Sequence, residues 1–239
     1  MTYPFVLPPT WHGDLELLAD EVVDRRISLS EPLHKGMVWD LRRDTVQLGD
    51  GQSVRREFVV HPGAVGVIAI DDADRVLMVR QYRHPVGMML WEPVAGLLDV
   101  ADESPEVGAA RELVEEAGIV ASTWHTLIDM ENSPGGSSEA VRCYLARGLS
   151  PAPEGRPIGH GEERDMPLIW VPLELAVRHV LAGRLSSPLC VAGVLAAALA
   201  SARGWSSLRP VDAPWPARLS VTSTARARLY HSVSDNSTA

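Results

Sequence analysis

The feature that most constrains the fold is one short segment whose apolar and acidic residues both follow helical spacing. Ser104 and Pro105 suit the first positions of an α-helix, and Gly118 suits its end. Between them an apolar stripe recurs every three or four residues: Ala109, Ala110, Leu113, Val114 and Ala117. The segment therefore predicts an amphipathic helix over residues 105–117, with one face buried against the rest of the domain.

Most of the remaining chain has the composition of β-strands separated by turns. The predicted strands cover residues 22–29, 37–41, 45–48, 54–61, 64–70, 75–82, 122–131, 138–146 and 165–171. Two more helices are predicted late in the chain, at 172–182 and from Ser187 to about Gly204. Strands that flank a central helix, followed by two helices, predict an α/β or α+β sandwich.

Composition excludes several classes of protein. The chain has 239 residues, of which 46% are hydrophobic, so it can bury a sizeable core. Its net charge of −9 argues against non-specific binding of nucleic acid, which depends on Lys and Arg. A small phosphate-bearing ligand remains compatible with this charge, because metal ions can supply positive charge locally.

Targeting signals are not evident. The first residues, 1–11, have no basic region followed by an apolar run, and the longest apolar run, 189–200, is too short to span a bilayer. Cys143 and Cys190 lie in apolar surroundings, which indicates two buried, reduced thiols. We therefore expect a soluble cytoplasmic protein that binds neither membranes nor nucleic acid.

Three glutamates of the predicted helix are candidate ligands for a divalent metal ion. Offsets of three and four residues place Glu112, Glu115 and Glu116 on one face, opposite the apolar stripe. Like charges at this spacing repel by a few tenths of a kcal/mol per pair, and a divalent cation removes that cost. Mg²⁺ prefers carboxylate oxygens, water and phosphate as ligands. Taken alone, however, three glutamates on a helix are more often a solvated acidic face.

The surroundings of the glutamates decide between these interpretations. The stretch from Gly96 to Ile119 closely resembles the box motif of Nudix hydrolases, at the positions Glu103, Arg111, Glu112, Glu115, Glu116 and Gly118. One departure is that six residues, instead of the usual five, separate Gly96 from Glu103. The extra residue falls in the loop before the helix, where insertions are tolerated.

The resemblance implies a fold and a set of roles. It implies a Nudix α/β/α sandwich at 61–212, a small β-rich N-terminal dimerisation segment at 1–60, and a loosely ordered tail at 213–239. Glu112 and Glu116 would be direct ligands of Mg²⁺ or Mn²⁺, with Glu115 in the same metal site and Ala95 adding its main-chain carbonyl. The box residues Gly96, Glu103, Arg111 and Gly118 would be structural, with Glu103 and Arg111 forming an ion pair.

Three further segments, at 54–57, 81–96 and 133–139, resemble the ADP-ribose pyrophosphatase branch of this family, especially its actinobacterial members. By this resemblance Arg56 and Arg83 would contact the phosphates of the substrate, and Ser133, Gly135 and Glu139 would border them. Glu92 would be a catalytic residue near the metals. Taken alone, the two arginines and two glutamates are also compatible with solvated surface positions. Trp39 could stack on adenine, although a place in the core is favoured.

The implied reaction is hydrolysis of ADP-ribose to AMP and ribose 5-phosphate, with water as the nucleophile. Glu115 would assist in catalysis, and Glu162, in the acidic loop 159–165, would be the general base, with Glu139 as the alternative. Arg164 stands where related enzymes place a second acid, which argues against an additional metal held by that loop. The resemblance also implies a homodimer with exchanged N-terminal segments. Other nucleoside diphosphate substrates, and a Nudix-like sensor that binds without cutting, remain as alternatives.

Overall fold

A computed structural model describes residues 18–157 and 166–218. It contains ten strands: β1 (Ile27–Lys35), β2 (Asp40–Gln47), β3 (Ser53–Val60), β4 (Ala64–Ala69), β5 (Arg75–Arg83), β6 (Met88–Glu92), β7 (Val94–Leu97), β8 (Ile119–Asn132), β9 (Glu139–Pro151) and β10 (Leu168–Pro172). Three helices accompany them: α1 (Pro105–Ala117), α2 (Leu173–Leu181) and α3 (Pro188–Ala202).

The first three strands form an antiparallel sheet of their own, in the order β1-β2-β3. The separate strands predicted at 37–41 and 45–48 are wrong, because a single strand, β2, pairs with β3 from Asp40 to Gln47. Arg42, Arg43 and Asp44 hid this strand from a search for apolar runs. Arg42 and Arg43 are accommodated because they are only partly buried, and the buried carboxylate of Asp44 accepts a hydrogen bond from the Ser30 hydroxyl.

The central sheet has the order β7-β4-β9-β8, and the parallel pair β4–β9 lies at its middle. Alternate residues of β4 enter two different cores, as expected for a strand covered on both faces. Val65 and Val67 pack with α1, whereas Ile68 packs with α2 and α3. A second sheet, β10-β5-β6, completes the β layer of the sandwich. The predicted α/β/α sandwich is therefore confirmed, with a β-sheet preceding it.

Two glycines allow α3 to lie close to the central sheet. A Cβ atom at Gly66 would overlap the side chain of Leu189, and one at Gly193 would lie 2.9 Å from Ile68 Cδ1. Both predicted thiols, Cys143 and Cys190, are buried in this layer and form no disulfide. Burial raises the pKa of each thiol to about 12, which keeps both groups protonated and unreactive.

The described part of the chain remains packed beyond the predicted end of the domain. Ala213 and Trp215 are buried, and Trp215 belongs to the core beside α1. Arg142 explains this packing, because it donates to the carbonyls of Ala213 and Pro214 and stacks on the Trp215 ring at 4.8 Å. The expectation of a loose tail is therefore wrong for 213–218, and residues 219–239 lie outside the described ranges.

Across 18–157 and 166–218, no helix combines the length and apolar character that crossing a membrane requires. Helix α1 starts and ends as predicted. Gly118 adopts the left-handed conformation, with φ of +67°. Ser104 is the residue before the helix, but its hydroxyl makes no capping hydrogen bond. Pro105 and the main chain therefore define this start without the expected side-chain cap.

Candidate active site

Arg111 organises the acidic face of α1. Its Nε donates to Glu103 Oε1 at 2.9 Å, and its Nη2 donates to Glu103 Oε2 at 3.1 Å. The hydrogen bond from Arg111 holds the pKa of Glu103 below its usual range. The two-point contact ties the loop before α1 to the helix, as the sequence predicted for this pair.

The third nitrogen of the same guanidinium reaches two more carboxylates. Arg111 Nη1 donates to Glu112 Oε1 at 2.8 Å and to Glu115 Oε2 at 2.9 Å. One cation thus lies among three carboxylates and offsets part of their mutual repulsion. Glu115 is directed toward Arg111 on the exposed side of the helix, so its predicted share in the metal site stays a prediction.

The other two glutamates face strand β7. A Cβ atom at Gly96 would overlap the carboxylate of Glu112, so only glycine leaves room for that side chain. The main-chain N–H of Ala95 donates to Glu116 Oε2 at 3.4 Å, and Glu116 is only 7% exposed. Helix α1 therefore directs Glu112 and Glu116 to one edge of the sheet and Glu115 outward.

These groups suit a hard divalent cation. Glu112, Glu116 and the main chain at Ala95 offer carboxylate and carbonyl oxygens, which are the donors that Mg²⁺ and Mn²⁺ accept. Among the described residues, no three His, Cys, Asp or Glu side chains are close enough to form a ready-made metal cage. The donor set fits such an ion only if the substrate or water completes its coordination.

Two predicted residues at the ends of neighbouring strands in the second sheet form an ion pair. Arg83 Nε, at the end of β5, lies 2.7 Å from Glu92 Oε2, at the end of β6. The Glu92 side chain is 10% exposed, whereas that of Arg83 is 43% exposed. Arg83 therefore neutralises a nearly buried carboxylate and still presents part of its guanidinium to solvent.

The predicted substrate loop, residues 133–139, docks on the N-terminal sheet. The main-chain N–H of Val59 donates to Gly136 O at 2.9 Å, and that of Ser138 donates to Val59 O at 2.9 Å. Ser133 adopts a positive φ of +53°, which starts the turn. A Cβ atom at Gly135 would meet nothing within 4 Å in the described chain, so the fold itself does not require glycine there.

Other predicted residues lie apart from the glutamates. Arg56 is exposed and donates to its neighbour Arg55, without reaching the box within one chain. Trp39 is 46% exposed, so the favoured place in the core is wrong for the single chain. The turn between β1 and β2 projects into solvent, and β1 beside it is largely exposed in the described part of the chain. Glu162 and Arg164 lie outside the described residues.

Glu139 borders the site from a distance. Gly96 pairs with Val65, which pairs with Arg142, so Glu139 lies two strands and three residues away from Gly96. Strand spacings of 4.8 Å and a rise of 3.3 Å per residue place the two Cα atoms about 14 Å apart. Glu139 thus lies well away from the glutamates of α1 along the same sheet.

Comparison with known proteins is decisive for the family. The NUDIX domain model matches residues 60–188. An ADP-ribose pyrophosphatase of Mycobacterium tuberculosis is 48% identical over 198 residues, which is 83% of this chain and 94% of the relative. This chain belongs to the Nudix family. A methanol dehydrogenase activator of Bacillus methanolicus is 38% identical over 65% of this chain and 83% of its own length.

A solved structure supports the fold of this Nudix chain. The crystal structure of an ADP compounds hydrolase superimposes with a TM-score of 0.62, covering 78% of this chain and 99% of the other. At 20% sequence identity this likeness concerns the fold alone.

Sequence reasoning missed one residue beside the loop 133–139 of this Nudix chain. His61 is half-buried between β3 and β4, and its main-chain N–H donates to Ser138 Oγ at 3.0 Å. The eight histidines of the sequence suggested no cluster, so His61 was not singled out. The available signal was the turn pair Pro62-Gly63, which places His61 directly before the buried run that becomes β4.

Proposed function

We propose that this chain hydrolyses the pyrophosphate of ADP-ribose to AMP and ribose 5-phosphate. The observation that supports ADP-ribose as the substrate is the 48% identity to an ADP-ribose pyrophosphatase over 94% of that enzyme's length. A match of this extent includes the loop 133–139 and β3 as well as the box, so it is not limited to the catalytic helix.

We also propose that Glu112, Glu116 and the carbonyl of Ala95 hold Mg²⁺ or Mn²⁺, with Glu115 in support. When bound, the ion neutralises charge on the pyrophosphate and on the leaving phosphate. The support is the shared orientation of Glu112 and Glu116 toward β7. Gly96 is required there because any side chain would displace Glu112.

The substrate's phosphates need donors besides the ion. Arg83 is the candidate within the chain, because its guanidinium is partly exposed while it holds Glu92. Ser133 and Gly135 lie on the exposed turn of the docked loop, where main chain can approach a ribose or a phosphate. We propose that these residues bind and orient ADP-ribose.

We propose Glu162 as the general base that takes a proton from the attacking water. The alternative, Glu139, lies about 14 Å from Gly96 by strand register, which suits contact with the substrate better than contact with a water at the glutamates. Glu92 is a further catalytic candidate, and its ion pair with Arg83 holds its carboxylate in place.

Assembly is part of the proposal. Met37, Val38 and Trp39 form an apolar turn, here called the hairpin tip, in which Met37 is fully exposed and Trp39 is 46% exposed. An exposed cluster of this kind is typical of a surface that another chain covers. We propose a homodimer with exchanged N-terminal segments, in which Arg56 contacts the phosphates of the partner's site.

A product screen tests the function. Purified chain with Mg²⁺ is given ADP-ribose, other ADP-sugars, NADH or a nucleoside triphosphate, and released monophosphates are converted to inorganic phosphate by a phosphatase. We expect the highest kcat/KM with ADP-ribose. A higher value for NADH or another nucleotide would assign a different Nudix substrate. Tight calorimetric binding of ADP-ribose without turnover would instead identify a sensor.

A further inference from the structure

His61 occupies the junction between β3 and β4, where the N-terminal sheet meets the Nudix sandwich. The main-chain N–H of Gly63 donates to His61 Nδ1 at 3.1 Å. Since Nδ1 accepts this hydrogen bond, it carries no proton, and a neutral ring has its proton on Nε2. The imidazole therefore closes the turn His61–Gly63 as a side-chain acceptor.

This turn requires a special main-chain conformation. Gly63 has φ of +89°, and a Cβ atom there would lie 3.2 Å from Ala140 O. The carbonyl of Gly63 also accepts from Leu98 N at 3.0 Å, at the start of the loop that precedes α1. The conformation of one turn thus affects both the box loop and the start of β9.

The same junction holds the substrate loop. Val59 exchanges two main-chain hydrogen bonds with the loop, and His61 N–H donates to Ser138 Oγ at 3.0 Å. The next residue, Glu139, donates its N–H to Ser137 Oγ at 3.1 Å. A displacement of His61 would therefore be transmitted to Glu139 through one residue.

The pKa of His61 reflects both the burial of its ring and the nearby carboxylate of Glu139. Burial lowers the pKa of His61, and the negative charge of Glu139 acts in the opposite direction. Burial is the larger effect, so the ring stays neutral at pH 7 and keeps Nδ1 available as an acceptor.

We propose that His61 is a positioning residue of the active site: its Nδ1 holds the turn to Gly63, and this turn fixes the loop 133–139 and the position of Glu139. The inference rests on the proposed function for its effect on catalysis. Its structural part, the ordering of the loop by a ring nitrogen, does not depend on which nucleotide is cut.

Two substitutions separate the acceptor from the bulk of the ring. His61→Asn keeps an oxygen close to the place of Nδ1, whereas His61→Leu fills similar space without an acceptor. His125→Leu, at a half-buried histidine of β8, is the control for loss of an imidazole elsewhere. Each full-length protein is compared by amide hydrogen exchange of the peptide containing 133–139, by thermal melting, and by kcat/KM for ADP-ribose with Mg²⁺.

We expect His61→Leu to exchange this peptide at least tenfold faster and to lose at least tenfold in kcat/KM. His61→Asn should stay within threefold of the parent in both measurements, as should His125→Leu. Parent-like exchange and activity in His61→Leu would overturn the proposal, and so would an equal loss in His61→Asn. If His61→Leu shows no cooperative melting, His61→Gln replaces it, because its amide lies one bond too far to accept from Gly63.

Failure of the proposed function has a different signature. A parent protein that does not cleave ADP-ribose would refute that function, while the exchange rates of the same variants would still decide the role of His61.

Discussion

Glu116 is the residue at which charge and shape have separate consequences. It is the most enclosed of the four glutamates on α1, at 7% exposed, and it follows Glu112 by one helical turn. Glu116→Gln keeps the shape and removes one negative charge, so we expect kcat to fall at least a hundredfold without a lower melting temperature in the metal-free protein. Steady-state kinetics and calorimetry measure both quantities.

The control for this substitution is Glu106→Gln, in the first turn of the same helix. It changes the net charge equally and should leave kcat within a few-fold of the parent. Near-normal activity of Glu116→Gln at saturating Mg²⁺ would show that its carboxylate does not hold the metal.

The ion pair of Glu103 and Arg111 makes stability depend on pH. The hydrogen bond from Arg111 lowers the pKa of Glu103 in the folded chain. Its stabilising effect is therefore complete above the unfolded value of about 4.3 and is lost as the pH falls through the lower folded pKa. Glu103→Gln should melt below the parent at pH 7, and the difference should shrink steadily as the pH falls below about 4.3. A constant difference in melting temperature across this range would contradict the ion pair.

The general base is decided by the chemical step. Single-turnover rates of Glu162→Gln and Glu139→Gln are measured at saturating ADP-ribose and Mg²⁺. Loss of the base should slow the step by about 10²–10⁴-fold with substrate binding largely retained. We expect this loss in Glu162→Gln. If Glu139→Gln loses the rate and Glu162→Gln does not, the roles are reversed.

The stability of α1 depends on the glycine that ends it. Gly118 has φ of +67°, and a Cβ atom there would lie 2.6 Å from Arg156 N. Gly183, after α2, has φ of +69° with nothing within 4 Å of its Cβ position. Gly183→Ala should therefore cost about 1–2 kcal/mol for the left-handed conformation alone. Gly118→Ala should cost more in denaturant unfolding, and equal costs would show that Arg156 moves away freely.

Elements with strong local patterns were predictable from the sequence. The apolar run of β4 and the stripe of α1 each specify burial by themselves, and the turn residues around them are unambiguous. Strand β2 was not predictable in this way, because Asp40, Arg42 and Arg43 occupy a sheet with little burial. Its extent depends on pairing with β3, which is information about another segment.

In the candidate site, too, contacts between residues close in sequence were easier to predict than contacts between distant segments. The ion pair of Arg111 with Glu103 joins one helix to its preceding loop, and the resemblance to the Nudix box implied it. The contact of Arg111 with Glu112 was not predicted. The pairing of Arg83 with Glu92 needed the β5–β6 hairpin. The docking of Ser138 on His61 joins residues 77 positions apart, and no spacing rule predicts such a contact.

The whole molecule presents an apolar surface at the hairpin tip. If two copies pair through their N-terminal segments, Trp39→Glu places a charge in that contact and should convert a dimer into a monomer. Light scattering after gel filtration distinguishes a mass of 26.0 kDa from twice that value. This substitution is cleaner than deletion of residues 1–60, which also removes the hydrogen bonds from Val59 to the substrate loop.

Lys35→Glu, at the exposed end of β1, is the matched control and should leave the mass unchanged. A parent protein that is monomeric at micromolar concentration would rule out the dimer. An unchanged dimer in Trp39→Glu would place the contact elsewhere.

The parallel pair β4–β9 has a consequence for how quickly the chain folds. Val65 and Arg142 are partners although 77 positions separate them, so a long loop must close before these two strands can hydrogen-bond to each other. Helix α1 lies within that loop, and its main-chain hydrogen bonds are local, so they can form in microseconds. The helix can therefore form before the sheet that covers it. The rate at which β4 and β9 pair then sets how long the apolar stripe of α1 is exposed and able to aggregate.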